Sequence, residues 1–190
     1  MAKIKLNPIV EEVSGKFGNI VFRQTGDRTI LTRRPDFSGL QPTDVQAAQR
    51  ERFRQAVAYG KVVIADEASR KVYENAAQAK GLSVFALSVA DFLNAPSIDQ
   101  VDLSHYGGKT GDPITVTTHD DFEVVAVHVT LTGADSATIE EGEAIQQPAG
   151  TLNWVYTATA NVPANTVVRI DVTASDRPGT KTDTQAQKTV

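Results

Sequence analysis

The sequence contains no cysteine, one methionine, one tryptophan and 6% aromatic residues in 190. Without cysteine there are no disulfide staples, no thiolate metal sites and no cysteine nucleophile. No apolar run approaches the roughly 20 residues that a membrane-spanning helix needs, so membrane insertion is not expected. The opening Met1-Ala2-Lys3-Ile4-Lys5-Leu6-Asn7-Pro8 has no apolar core and no small-residue cleavage site, so no secretory signal is read there. The expectation is synthesis in the cytoplasm, with any virion or extracellular destination reached by a non-classical route. Hydrophobic content of 41% and charge of 22% are those of ordinary globular protein.

Positive charge becomes scarce along the chain. Residues 1–60 carry 10 Lys+Arg against 6 Asp+Glu, residues 61–98 carry 4 of each, and residues 99–190 carry 5 against 13. A basic head and an acidic tail suggest two units and head-to-tail attraction between copies.

What is present divides at Asn94-Ala95-Pro96-Ser97, read as a linker. Before it, an arm from Lys3 to Val13 alternates Ile4 and Leu6 with lysines. Pro8 confines the arm to an edge strand or no strand. Ser14 to Asn19 is a turn signal. Ile20-Val21-Phe22-Arg23-Gln24 and Arg28-Thr29-Ile30-Leu31-Thr32 flank Gly26-Asp27, a two-residue hairpin loop. In that register Phe22 faces Leu31 and Arg23 faces Ile30. Apolar groups thus fall on both faces of a ribbon that is marginal alone in water.

Three helices follow. Thr43 and Gln46 have capping-box spacing, and Val45, Gln49, Phe53, Ala56, Val57, Gly60, Val63 and Ile64 recur at helical period. Asp66 caps a second helix carrying Val72, Tyr73, Ala76 and Ala79, with Gly81 as its C-terminal cap. Ser83 caps a third, with Phe85, Val89, Phe92 and Leu93 on one face. Beyond the linker the period becomes two. Val125/Val127/Val129/Leu131, Leu152/Trp154/Tyr156/Ala158 and Val168/Ile170/Val172/Ala174 each mark one apolar strand face. Weaker runs at residues 98–103, 114–118, 138–145 and 180–185 bring the count to about seven strands. The expected fold class is therefore α+β. An N-terminal β-hairpin and a small three-helix unit (1–96) precede an antiparallel β-sandwich (97–190).

Two resemblances add to this. Residues 98–184 resemble bacterial immunoglobulin-like domains in Asp121-Phe122-Glu123-Val124, in Trp154-x-Tyr156 and in the closing Ala174-Ser175-Asp176-Arg177-Pro178-Gly179. The resemblance implies an immunoglobulin-like sandwich serving adhesion, spacing or assembly. Residues 14–93 resemble an uncharacterised bacterial and prophage-encoded family. The marks are the Gly-Lys-hydrophobic-Gly-Asn hairpin (Gly15 to Asn19), a Gln-x-x-Arg-x-x-Phe helix (Gln46 or Gln49, Arg50, Phe53), and an aromatic-x-x-Ala helix (Tyr73, Ala76). That family commonly has tryptophan at the position of Tyr73. This resemblance implies a structural or virion-associated role.

Chemistry is sparse. Gly107-Gly108-Lys109-Thr110 has the ending of a phosphate-binding loop, but the glycine required five residues before Gly108 is Leu103, and a turn is the better reading. His105, His119 and His128 have no metal-ligand spacing. Asp120, Asp121 and Asp176 could converge to hold calcium, or simply initiate turns. Glu140, Glu141 and Glu143 read as a solvated hairpin without the apolar surroundings a general acid needs. Ser104-His105 are sequence neighbours, which point to opposite faces in a strand. Arg23, Arg28, Arg33 and Arg34, with Phe17 and Phe22 beside them, form a nucleic-acid candidate. The competing reading is charge guarding a sheet edge, and a pI of about 5.4 opposes binding to a polyanion.

The expectation is a non-enzymatic, self-assembling structural protein with no cofactor. The arm and hairpin make the subunit contacts through Ile4, Leu6, Phe17, Ile20, Phe22, Ile30 and Leu31, and the sandwich is displayed outward. The expected partner is the chain itself, as a homo-oligomer or filament, or a cell-surface or virion component. The alternative is a monomeric adhesion module that recognises a glycan or protein.

Overall fold

The computed structural model describes the backbone of residues 2–4 and the whole of residues 13–25, 28–36, 39 and 41–190. The described residues form three helices and three antiparallel sheets, a mixed and mostly β protein. It parts into two compact units, residues 1–46 and 47–190. The helices therefore group with the later strands, whereas a boundary at 96/97 was expected.

The first unit is a sheet of β1 (Ala2–Ile4), β2 (Gly15–Phe17), β3 (Ile20–Thr25) and β4 (Arg28–Arg33), ordered β1-β4-β3-β2. Gly18, at φ +57°, allows the tight turn that joins β2 to β3. The residues expected to be only a turn thus include a strand. Phe22 pairs with Leu31 and Arg23 with Ile30, the expected register. The Gly26-Asp27 loop and Leu6 lie outside the described residues. Ile4 belongs to β1 and pairs with Thr29.

Helix α1 (Asp44–Ala65), all but its first three residues in the second unit, opens with the capping box. Gln46 N–H donates to Thr43 Oγ1 at 3.3 Å, and Thr43 N–H to Gln46 Oε1 at 3.2 Å. Asp66 caps α2 (Glu67–Ala79) by accepting the Ser69 amide at 2.8 Å. Gly81 ends it at φ +65°. Ser83 caps α3 (Val84–Leu93), accepting from Ala86 at 3.1 Å. The helices meet around Val63, Tyr73, Ala77 and Leu87.

The remaining strands are β5 (Ser97–Asp102), β6 (Pro113–His119), β7 (Val124–Thr132), β8 (Thr138–Glu143), β9 (Ile145–Gln146), β10 (Asn153–Thr157), β11 (Val167–Asp176) and β12 (Lys181–Thr189). They form two sheets, β5-β6-β10-β9 and β12-β11-β7-β8. Both sheets contribute to one core, with Ile114, Val116, Trp154 and Tyr156 from one and Val127, Val129, Leu131, Val168, Ile170, Val172 and Ala174 from the other. Each large apolar side chain buried there contributes about 1.5–3 kcal/mol.

There are eight strands here where about seven were expected. The run 138–145 breaks at Ala144, and its halves, β8 and β9, lie in different sheets. Val125, in phase with the buried stripe, is nonetheless exposed. Ala126 pairs with Ser175 and Val124 with Asp176, so Val125 is the extra residue of a bulge.

The helices also touch the strand region. Tyr73 stacks on Phe122 with ring centroids 4.2 Å apart. Asn94 Nδ2 donates to Asp121 Oδ2 at 2.5 Å, and Lys80 Nζ to the Asp121 carbonyl.

Candidate functional site: a buried carboxyl network and an uncovered sheet

Helix α3 carries one charged residue, Asp91, and folds it inward. Leu87, Ser88 and Asp91 are its buried positions. The face expected to be buried, Phe85, Val89, Phe92 and Leu93, is only half covered. Asp91 Oδ2 accepts the Tyr73 hydroxyl at 2.5 Å, and the Tyr59 hydroxyl lies 2.8 Å from that of Tyr73. One hydrogen-bonded chain therefore links α1, α2 and α3. Burial pushes the Asp91 carboxyl up from 3.8 to about 7. The Tyr73 hydrogen bond opposes this, and the neighbouring Asp120 and Asp176 add to it. Burial also drives Tyr73 upward, reinforced by its bond to Asp91.

Asp176 continues the inward phase of Val168, Ile170, Val172 and Ala174 and is itself buried. Its Oδ1 accepts the Thr180 amide at 2.6 Å, while burial raises its pKa against that bond. Asp120 Oδ2 accepts the Glu123 amide at 3.1 Å. Asp121, the third calcium candidate, is half-buried and accepts from Asn94. The three aspartates therefore serve separate bonds. Among the described residues, no group of three His, Cys, Asp or Glu side chains is arranged to hold a metal.

The hairpin glutamates need a correction. Glu141 and Glu143 are exposed beside His128, with His128 Nδ1 at 3.1 Å from Glu143 Oε1. Glu140 is buried, contrary to the solvated reading. Its Oε2 accepts the Thr159 amide at 2.6 Å, the Thr159 hydroxyl at 2.5 Å, the Ala160 amide at 3.1 Å and the Tyr156 hydroxyl at 3.2 Å. The carboxylate fastens the segment after β10 to β8. Nearby Tyr106 is pushed up to about 12, first by burial and then by the Glu140 charge.

Two other segments show what their groups do. The amides of Gly107 and Lys109 donate to Asp112 Oδ2 at 2.8 and 2.9 Å, so this turn encloses its own carboxylate. Ser104 and His105 lie in a turn, not a strand. Ser104 Oγ is 2.9 Å from His105 Nδ1, and Asp102 takes the Ser104 amide.

No known family and no curated protein matches this chain. Among solved structures it is similar to a conjugative transposon lipoprotein from Bacteroides eggerthii DSM 20697. The identity is 10% and the TM-score 0.25, with 48% of this chain and 92% of that one covered. At that score the likeness carries no argument about fold or function. Among the described residues, no helix is long and apolar enough to cross a membrane.

Of the expected contact residues, Phe17, Ile20, Phe22, Ile30 and Leu31 fall on a sheet and are all incompletely covered. Pairing puts Phe17, Ile20, Phe22 and Leu31 on one face and Val21, Ile30, Lys16, Arg23 and Arg28 on the other. Phe17 is 77% exposed and Ile20 37%, while Phe22, Ile30 and Leu31 are half-buried. Among the described residues of this unit, Thr29 alone is buried. Arg33 lies on the Phe22 face, apart from Arg23 and Arg28. With Lys16 and Arg34 it lines a concavity of ≈ 820 Å³ that also holds Asp36.

Proposed function

We propose that this protein is a non-enzymatic structural component that self-assembles, with its N-terminal strands as the subunit contact and an immunoglobulin-like sandwich as the part displayed. The observation that carries this reading is the N-terminal sheet. A four-stranded sheet holding Phe17, Ile20, Phe22 and Leu31 on one face should bury that face, yet none of these side chains is fully covered. An apolar sheet face of this kind is a contact surface, and a second copy supplies the same surface to meet it.

The strand order supports the immunoglobulin-like part. Lettered in sequence with β8 as an extra strand beside C, the sheets read A-B-E-D and G-F-C, the constant-domain order. Two features depart from that family's habit. The tryptophan sits on the E strand (β10), and there is no cysteine pair. A virion or cell-surface structure is the setting that suits such a part.

Sedimentation velocity of the full chain tests the reading against a Phe22→Asp, Leu31→Asp double variant. Wild type should sediment as a concentration-dependent oligomer and the variant as a monomer with unchanged circular dichroism. A wild type that stays monomeric at millimolar concentration refutes self-assembly. A monomeric binding module is the second reading. It draws on a ≈ 250 Å³ concavity where Phe122, Leu152 and Trp154 meet His119, Asp120 and Glu123. Retention on a glycan array would favour it. Nucleic-acid binding rests only on the arginines of the first unit, and a salt-dependent shift of labelled oligonucleotide would report it.

A further inference from the structure

Asp91 Oδ1 and Asp120 Oδ1 are both buried and neither has a donor. Asp120 is the carboxyl that acts on Asp91, through its charge and as a hydrogen-bonding neighbour. Two acceptors cannot bond without a hydrogen between them, and a proton on either one supplies it. The other Asp91 oxygen already accepts from Tyr73, which meets Tyr59. One proton therefore completes a chain from α1 through α2 and α3 to the loop after β6. Asp176 adds a third carboxyl, with Oδ2 buried and lacking a donor, coupled electrostatically to Asp91 and Asp120.

The cations around this network are engaged elsewhere. Arg177 acts on Tyr59 and Tyr73, and its guanidinium binds Glu123 at 2.7 Å. Arg52 donates to the Leu93 carbonyl at 2.8 Å and Lys80 to the Asp121 carbonyl. A carboxylate at Asp91 would face Asp120 and Asp176 across a low-dielectric gap without a paired cation, an arrangement that favours the neutral form.

We propose that a proton held by Asp91 locks the three-helix layer onto the strands, and that release of this proton to solvent loosens the layer. The folded carboxyl holds its proton more tightly than the released one. The stabilisation is therefore complete at pH values below the ordinary carboxyl range near 4, declines as pH rises, and is gone above the raised value near 7. Between about pH 5.5 and about pH 8.5 this linkage weakens docking by about thirtyfold.

Hydrogen–deuterium exchange of the full chain at those two pH values, corrected for intrinsic exchange, provides the test. Protection of α2 and α3 should fall by about thirtyfold at the higher pH, while β7 and β11 stay unchanged. Asp91→Asn cannot ionise, still accepts from Tyr73 and can donate to Asp120. It should keep the acid-level protection at both pH values. Equal wild-type protection at both, or an Asp91→Asn variant that keeps the pH dependence, overturns the proposal. Should that variant fail to fold, carboxyl carbon NMR of the wild type decides. A titration of Asp91 between about pH 6 and 8 supports the lock, and one below about pH 5 overturns it.

Discussion

Glu140 shows how a single residue can reverse the reading of its neighbourhood. Alternation along Thr138–Glu143 puts Ile139 inward and Glu140 outward. In the structure Thr132 pairs with Thr138 and Leu131 with Glu140, so Ile139 is the extra residue of a bulge and the phase flips. The carboxylate arrives inside, where two backbone amides and two hydroxyls meet one oxygen. Removing it orphans the part-buried Thr159 and Ala160 amides. Glu140→Ala should therefore cost roughly 3 kcal/mol, and Glu140→Gln about 1 kcal/mol because the amide oxygen still accepts. Urea unfolding measures both, and equal costs would show that the acceptor role is not what matters. Asp91 was equally hidden, since an acidic residue in a helix reads as its solvent side. The available signal was its isolation, as the one charge in Val84–Leu93, four residues after Leu87.

At the scale of elements, the signals with a local physical cause were the legible ones. Caps depend on residues three apart, and the expected caps at Thr43, Asp66 and Ser83 all form, Thr43 with its expected partner Gln46. The hairpin register followed from loop length, and the inward stripe of β11 from its period of two. Whatever depends on a distant partner was not legible. Of the stripe expected along α1, Ala56, Gly60 and Val63 are buried, whereas Val45, Phe53 and Ile64, at the same helical spacing, are exposed. The grouping of the helices with the later strands likewise rests on Tyr73 meeting Phe122, a pairing no local pattern announces.

Gly60 marks the place where α1 meets α3. A Cβ built there would lie 3.0 Å from the Phe85 ring and from a Val89 methyl. Gly60→Ala sets that crowding against about 1 kcal/mol of helix propensity and should fall within about 1 kcal/mol of neutral. Gly60→Val adds branched bulk and should cost more than about 2 kcal/mol. A Gly60→Val variant with wild-type stability would contradict the close crossing. Thr43→Ala removes the cap of a helix whose first turns are exposed. The expected outcome is a loss of about 1 kcal/mol confined to α1, read as faster amide exchange at residues 45–48 with the global unfolding midpoint unchanged.

Taken whole, the chain pairs a unit that buries Thr29 and no apolar residue among those described with one that holds two apolar clusters. Global stability therefore belongs to residues 47–190, and its pH dependence has two limbs of opposite sign. Asp112 is held below its ordinary value by the Lys109 and Gly107 amides, Asp102 by Ser104 and Asp66 by Ser69. Such depressed groups stabilise the fold above the ordinary carboxyl range and lose that contribution as pH falls through their folded values. Asp91 and Asp176 are raised, chiefly by burial, so their contribution is lost as pH rises from about 4, and for Asp91 the loss ends near 7. For Asp91 the full span is up to about a thousandfold in the folding equilibrium, enough to outweigh exposed carboxylates whose bonds face water. The urea midpoint should therefore peak between about pH 4 and 5, fall toward neutrality and level off above about pH 8. In Asp91→Asn the neutral-side limb should flatten, leaving the smaller Asp176 contribution, while the acid limb stays. A midpoint that rises steadily from about pH 5 to 8 in the wild type would mean that this buried carboxyl is already ionised in the folded protein.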